Sequence, residues 1–373
     1  MSPRHVAYVL NVFPKLSETF IATELAELRR RGVELRVLSL RLPDAGLRHR
    51  FIDEAGLEQL TWRDPAQFES ALREFQPQLL HAHFATEPAD AARDWSQRLG
   101  VPFTFTAHGY DIRRKPPPDF AVRARAARAL VTVSEANRQY IVKTFGVPPE
   151  HIHVIPSGVD TNRFVPSTDR SVERRIPAPG ESPDFAEVGR NSALPLIVCV
   201  ARHAKVKNLG LLLDVCALLR DRGVAFKCIS VGDGVCRSEL EEQCAQQRLE
   251  DCVEFVGAQE QEHVLALWQQ ADVAVLTSEN EGMPVSLMEA AACGVPAVAT
   301  AVGGVPELVE HDITGLLAPS GGATAFADAL QSLLLDSARR ARMGALARQR
   351  ALERFSLSRQ VDALLDLWSK ILR

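Results

Sequence analysis

The stretch Glu281-Gly282-Met283-Pro284-Val285-Ser286-Leu287-Met288-Glu289 places two carboxylates eight positions apart across the start of a helix. Ala274-Val275-Leu276 before it reads as a buried strand ending at Thr277-Ser278, Pro284 suits the first helical turn, and Gly294 closes the helix. Backbone N–H groups left free at a helix start favour an anion. Glu281 in the loop and Glu289 about a turn inside can accept hydrogen bonds from sugar hydroxyls. A phosphorylated sugar answers to both features, although carboxylates at this spacing also occur on solvated helix faces.

The surrounding sequence narrows the choice. Phe255-Val256-Gly257, Ala271-Asp272-Val273-Ala274-Val275, Ala292-Cys293-Gly294-Val295-Pro296, Val302-Gly303-Gly304-Val305-Pro306-Glu307 and Thr314-Gly315-Leu316-Leu317 frame the glutamate pair. This half of the chain resembles the donor-binding half of retaining glycosyltransferase family 4, whose signature is two glutamates separated by seven residues. The resemblance implies that Glu281 holds sugar hydroxyls, that Glu289 holds the ribose, and that Gly282, Met283, Pro284 and Val285 line the donor at the helix start. In Ala201-Arg202-His203-Ala204-Lys205-Val206-Lys207-Asn208-Leu209 it implies that Arg202 and Lys207 grip the donor diphosphate. A planar guanidinium binds phosphate oxygens bidentately and an ammonium adds a point charge, together replacing a metal. No Asp-x-Asp pair occurs, so metal ligands of the other glycosyltransferase type are missing and no metal or cofactor is expected; the nucleotide sugar is a co-substrate. Gly232 and Gly234 follow a strand and read either as a glycine loop near the nucleotide or as a tight turn; Arg237 stands where a dinucleotide fingerprint needs its third glycine. Val256 would lie by the base through backbone contacts.

The first half carries acceptor-side candidates. Phe13-Pro14-Lys15-Leu16-Ser17-Glu18-Thr19-Phe20-Ile21 lacks the glycine pair common in the family, yet Ser17 can cap the following helix, with Glu18 beside it. Together with His81-Ala82-His83-Phe84 and Thr106-Ala107-His108-Gly109-Tyr110-Asp111, its Pro-x-x-Ser-Glu-Thr-Phe resembles a branch associated with exopolysaccharide and colanic-acid-type assembly. His108, at a strand end, is expected to be exposed and, by resemblance, to contact the transferred sugar or acceptor; Asp111 is a further acceptor candidate. His81 and His83 alternate on a strand without a third metal ligand at fitting spacing, which favours a structural or acceptor-lining role.

These residues need two α/β frames. Residues 6–10, 34–40, 78–83, 101–106, 129–133 and 152–155 read as strands, with an amphipathic helix over 18–31, and a second βα alternation runs from 195 to about 335. The expected fold is α/β of the GT-B type: two doubly wound Rossmann-like domains facing across a cleft. The domains are 1–165 on the acceptor side, a linker or insertion at 166–193, and 194–355 on the nucleotide-sugar side. By resemblance, a final helix over 356–373 crosses back to the first domain.

Composition agrees. Of 373 residues, 46% are hydrophobic and 24% charged, ordinary for a globular protein. Net charge is −4, which supplies no global field for nucleic acid. Residues 1–160 hold 21 Lys+Arg against 19 Asp+Glu, or +2, and the remainder −6. The segment with Arg113, Arg114, Lys115, Asp119, Arg123, Arg125 and Arg128 concentrates cations, either as a solvated face or as a contact for anionic lipid. Seven cysteines without a Cys-x-x-Cys pair suggest reduced core residues; with neither a signal peptide nor a spanning segment recognised, the expected location is cytoplasmic, with peripheral contact to the inner membrane face as an option.

The expected activity is retaining, metal-independent transfer from a nucleoside-diphosphate sugar, with a UDP-sugar foremost, to a saccharide or lipid-linked saccharide acceptor. Front-face attack within an ion pair is preferred, because no carboxylate is isolated as a nucleophile. Alternatives are a non-hydrolysing sugar-nucleotide epimerase and a catalytically idle sugar-nucleotide-binding subunit.

Overall fold

A computed structural model describes residues 3–43, 46–167 and 194–373. The chain divides into two compact units: residues 1–158 with 355–373, and residues 159–354.

The first unit carries β1 (His5–Val12), β2 (Glu34–Arg41), β3 (Thr61–Trp62), β4 (Leu79–His83), β5 (Phe103–Ala107), β6 (Ala129–Thr132) and β7 (Ile152–Val154). They form one parallel sheet in the order β3-β2-β1-β4-β5-β6-β7. Helices cover both faces of such a sheet, so a central strand such as β1 carries a continuous buried run: Val6 to Leu10 are at most 2% exposed. The strand order reverses between β1 and β4, and a crevice forms at carboxyl ends flanking such a reversal. Four of the buried polar residues, His81, His83, Thr104 and Thr106, lie on adjacent β4 and β5 in the register His81 to Thr104 and His83 to Thr106.

The helix Leu357–Ile371 belongs to this unit. Its apolar positions Val361, Leu364, Leu367 and Trp368 are buried in the core that contains Val6, Tyr8 and Leu25. Gly158 N–H donates to Gln360 Oε1 at 2.6 Å, fixing the helix start against the segment after β7.

The second unit carries β8 (Leu196–Val200), β9 (Lys227–Val231), β10 (Val253–Gly257), β11 (Val273–Leu276), β12 (Ala297–Thr300) and β13 (Gly315–Ala318), in the parallel order β10-β9-β8-β11-β12-β13. Its reversal lies between β8 and β11, the two strands that lead into the Arg202–Lys207 and Ser278–Glu289 segments. Residues 159–165 sit in this unit, ahead of the expected boundary at 165, because Phe164 is buried there and its carbonyl accepts from Arg348. The expected linker lies, from 168 to 193, outside the described residues.

One local expectation fails, and one helix is additional to those expected. Ser17 caps nothing: it is an exposed residue inside a 3-10 turn, Leu16–Glu18, and the helix Thr19–Arg30 starts after Glu18 without a side-chain cap. The helix Ser337–Arg354 was not anticipated, because its buried stripe of Met343, Gly344, Ala347 and Ala351 is mostly small residues among arginines and gives little apolar periodicity.

Candidate functional site

In the second unit, three loops meet where β8 and β11 diverge. Lys207 ends a 3-10 turn, Lys205–Lys207, after β8, and its Nζ donates to Glu281 Oε1 at 2.5 Å. Ser278 Oγ donates to the same oxygen at 2.6 Å. Glu281 is 8% exposed, so this buried carboxylate has an ammonium and a hydroxyl as compensation. Glu279 N–H donates to the Val206 carbonyl at 2.9 Å and Thr277 Oγ1 to the Lys207 carbonyl at 3.1 Å, which lock the two loops together. Lys205 is exposed and takes no part.

Gly303 supplies the third loop. Its φ is +51°, and a Cβ there would sit 1.8 Å from the Glu281 carbonyl oxygen. Gly304 N–H donates to that same carbonyl at 3.2 Å. Only a residue without a side chain allows this approach. The glycine pair of Val302-Gly303-Gly304-Val305 therefore shapes the Glu281 loop, a role invisible in the spacing.

Pro284 is the cap residue of the helix Val285–Ala292 rather than its first turn, with Gly282, Met283 and Pro284 buried around it. The first N–H groups of that helix, on Val285 and Ser286, find no acceptor among the described residues, and both residues are partly exposed. They are donors available to an anion. Glu289, in the second turn, is 6% exposed; Trp268 Nε1–H reaches it at 3.4 Å and Gln261 also donates to it. Burial pushes its pKa up to about 7, so its protonation changes in the physiological range. Cys293, further along, is likewise pushed up to about 12 by burial and is no nucleophile.

Arg202 is exposed and has no side-chain partner among the described residues. Gly232, at φ +132°, lies against the backbone of Ala201, where a Cβ would meet its carbonyl oxygen at 2.0 Å. The Gly232–Gly234 loop is thus packed onto the Arg202 loop rather than being a free turn. Val256 is buried, and its carbonyl accepts from Gln259 Nε2 at 2.7 Å.

In the first unit, the acceptor-side candidates separate. His108 follows β5 and is half-buried rather than exposed: its ring packs on Phe20 and Phe84, with centroids 4.9 and 4.8 Å away, and its Nε2 meets His83 Nδ1 at 3.0 Å. Burial, and the neighbouring His83, hold its pKa well below the usual histidine value. Asp111 is fully buried and its two oxygens accept backbone N–H groups of Ala85 at 2.7 Å and His108 at 2.8 Å. It ties two strand-end loops together and is no acceptor contact. Burial raises its pKa to about 6 in spite of these bonds. Ser17 is exposed, while Glu18 pairs with Lys15.

His81 and His83 do have a third partner, Glu24, whose ligand atoms lie with theirs inside 4.8 Å. Glu24 is 59 residues from His83 in sequence, beyond any local motif. The cluster is nevertheless poorly disposed to a cation. His81 Nδ1 and Nε2 are bonded to Thr104 and Thr106 at 2.8 and 3.1 Å, and His83 Nε2 is bonded directly to Glu24 at 3.1 Å. A cation would have to break these bonds.

Comparison with known proteins follows the same division. Residues 17–163 match the family model described as Glycosyltransferase Family 4, and residues 181–350 that of Glycosyl transferases group 1. The chain is 33% identical over 271 residues to the putative colanic acid biosynthesis glycosyltransferase WcaL of Escherichia coli, an alignment covering 69% of this chain and 61% of that one. It is 29% identical over 266 residues to the amylovoran biosynthesis glycosyltransferase AmsK of Erwinia amylovora, covering 68% and 60%. The chain spans about 60% of the length of these relatives. Among solved structures, Anabaena Alr3699/HepE in complex with UDP and glucose superposes with a TM-score of 0.76 at 19% identity over 98% of this chain and 100% of that one, a likeness of fold. With both halves matched in order on two parallel-sheet units, the chain belongs to the family 4 glycosyltransferases of GT-B fold.

Proposed function

We propose that the protein transfers a sugar from a nucleoside-diphosphate sugar, with a UDP-sugar as the first donor to test, to a saccharide or lipid-linked saccharide acceptor in polysaccharide assembly. Transfer would proceed with retention of anomeric configuration and without a divalent cation. The observation that carries this reading is the joining of Lys207, Ser278 and Glu281 at the strand reversal of the second unit, beside the unpaired N–H groups of Val285 and Ser286. An ammonium has three N–H donors. Lys207 gives one to Glu281 and keeps two for phosphate oxygens.

In this reading the negative charge grows on the departing diphosphate as the bond from the anomeric carbon breaks. Lys207, Arg202 and the start of the helix Val285–Ala292 stabilise that charge more in the transition state than in the ground state. Glu281 accepts hydrogen bonds from sugar hydroxyls, and Glu289 from the ribose. The acceptor hydroxyl attacks from the face that the diphosphate leaves and gives its proton to the departing phosphate oxygen, so no protein carboxylate need form a covalent bond. His108, in the first unit, contacts a hydroxyl of a saccharide bound to that unit.

The cationic segment of the first unit supports a peripheral membrane contact, which suits a lipid-linked acceptor at the inner membrane face. Among the described residues no helix is long and apolar enough to cross a membrane.

Mass spectrometry of products from a panel of UDP-, GDP- and ADP-sugars, offered with soluble oligosaccharides and with a bacterial lipid extract, tests the proposal. A glycosylated product from one donor, with anomeric configuration retained by NMR, is the expected result. Conversion of a donor with no acceptor present would point to an epimerase, and binding without turnover of any donor to an idle subunit; either overturns the reading.

A further inference from the structure

The core of the first unit contains a buried hydrogen-bonded network that the transfer reaction as outlined does not use. Glu24, on the helix Thr19–Arg30, is 1% exposed. Tyr8 Oη on β1 lies 2.6 Å from its Oε1, and Gln360 Nε2 on the helix Leu357–Ile371 lies 2.5 Å from its Oε2. The orientation of the Gln360 amide is fixed from its other end, because its Oε1 accepts the Gly158 N–H. The nitrogen therefore faces Glu24, and Glu24 Oε2 must accept. With Tyr8 donating to Oε1, both oxygens act as acceptors. Burial, and then Glu24, raise the Tyr8 pKa well above normal, which keeps the phenol a donor.

The proton positions follow along the chain. His83 Nε2, 3.1 Å from Glu24 Oε1, has to donate. In a neutral His83 that leaves Nδ1 as an acceptor, 3.0 Å from His108 Nε2. The two rings lie only 17° from coplanar with centroids 5.3 Å apart, the disposition of an in-plane hydrogen bond between imidazoles. His108 Nε2 then carries the proton and His108 Nδ1 carries a lone pair. That Nδ1 has no partner among the described residues, and the residue is partly exposed.

We infer that Glu24 and His83 are positioning residues that fix His108 with its proton on Nε2 and a bare Nδ1, so that His108 meets a saccharide hydroxyl as a hydrogen-bond acceptor. The inference rests on His108 facing the bound saccharide, as proposed above. The backbone is set to match: Asp111 accepts the His108 N–H at 2.8 Å, and Asn137 Nδ2 donates to its carbonyl at 3.0 Å. The groups facing the pair are Tyr8 from β1, Glu24 from the helix after it, His81 from β4, Asp111 from the turn after β5 and Gln360 from the final helix; His81 is occupied by Thr104 and Thr106 and takes no part. The depressed pKa of His108 keeps the ring neutral at physiological pH. A proton added to His108 in acid goes to the bare Nδ1 and converts the acceptor into a donor.

The test is long-range 1H–15N NMR of the full chain with 15N-labelled histidine at pH 7.5, the His108 signals being assigned by their loss in His108→Asn. The expected spectrum has His108 protonated at Nε2 and bare at Nδ1. Glu24→Gln should mix the two tautomers, slow transfer about tenfold with little change in donor KM, and displace the acid limb of the pH–rate profile, whereas Glu24→Asp should restore the wild-type tautomer. A wild-type His108 with its proton on Nδ1 overturns the inference, as does a Glu24→Gln spectrum identical to wild type. The wild-type spectrum decides the matter even where Glu24→Gln does not fold. It also decides it where no donor is turned over, a result that would sink the proposed activity and leave the tautomer assignment standing on its own measurement.

Discussion

Lys207 and Glu281, 74 residues apart in the chain, are in direct contact, the ammonium donating to the carboxylate at 2.5 Å. The contact joins a cation suited to phosphate with a carboxylate suited to sugar hydroxyls, so the two cannot be altered independently. Lys207→Ala should lower transfer at least tenfold, because a charge-assisted hydrogen bond is worth about 1.5–3 kcal/mol. It should also destabilise the second unit, since Glu281 is left buried with Ser278 as its remaining partner. Arg202→Ala should lose comparable activity at an unchanged melting temperature, because the side chain is exposed and unpaired among the described residues. Kinetics with calorimetry on both variants checks this; wild-type turnover in both removes the diphosphate assignment.

Gly303→Ala should cost about 2–4 kcal/mol of stability and most donor binding, since a Cβ at that position collides with the Glu281 carbonyl. Gly321→Ala is the control. Gly321 also has a positive φ, at +78°, but nothing lies within 4 Å of its added carbon, so only the backbone preference of about 1 kcal/mol is lost. Equal melting temperatures for the two variants would show that the Gly303 loop yields and does not hold Glu281.

Much of this architecture was legible beforehand, for a physical reason. Strands buried on both faces read as short apolar runs such as Val6 to Leu10, and the loops after β8 and β11 carry the charged residues that no core would accept. Contacts between distant segments were not legible. Glu24 reads as one more charge on an amphipathic helix until folding sets it beside His83 and Gln360, the latter 336 residues away. Asp111 read as a ligand contact because it sits three residues after His108; burial and two backbone N–H groups make it a brace. Gly303 was legible only as part of the motif Val302-Gly303-Gly304-Val305-Pro306-Glu307, since close approach of two loops leaves no periodic trace.

Glu289 gives a pH dependence with a definite sign. Its pKa is about 7 when folded and about 4.5 when exposed, so the folded state binds more protons between those values. Its contribution to stability is complete below about pH 4.5 and is lost as the pH rises through 7. The full shift corresponds to about 3 kcal/mol. Glu289→Gln cannot ionise, so it should gain on wild type progressively between pH 5 and 8 in denaturant unfolding. The same substitution should weaken binding of a nucleoside diphosphate, if the carboxylate accepts ribose hydroxyls. A variant with the wild-type pH slope would mean that Glu289 ionises freely in the folded protein.

Activity should persist in excess EDTA, because Arg202, Lys207 and the helix start after Pro284 are proposed to carry the neutralisation of the diphosphate. Turnover assayed with and without chelator is sufficient. Loss of activity restored by Mg²⁺ or Mn²⁺ would assign that neutralisation to a cation.

The basic segment of the first unit is smaller than its composition suggests. Of the six cations between residues 113 and 128, Arg123 is drawn inward to Asp119 and the carbonyls of Ala85 and Thr86, and Arg113 lies 4.0 Å over the ring of Tyr140. Arg114, Lys115, Arg125 and Arg128 remain exposed, in the same segment as the half-exposed Tyr110 and Val122. Each cation close to an anionic bilayer contributes on the order of 1 kcal/mol, so four give reversible, salt-sensitive binding. Co-sedimentation with phosphatidylglycerol-containing vesicles should therefore be seen at low salt and fade at physiological ionic strength, and Arg114→Glu with Lys115→Glu should abolish it without lowering the melting temperature. Arg123→Glu should do the opposite, unfolding the unit by stranding Asp119 and two carbonyls while removing no lipid-facing charge. Equal sedimentation with neutral vesicles, or none at low salt, would leave the exposed cations as a solvated face and favour a soluble saccharide acceptor.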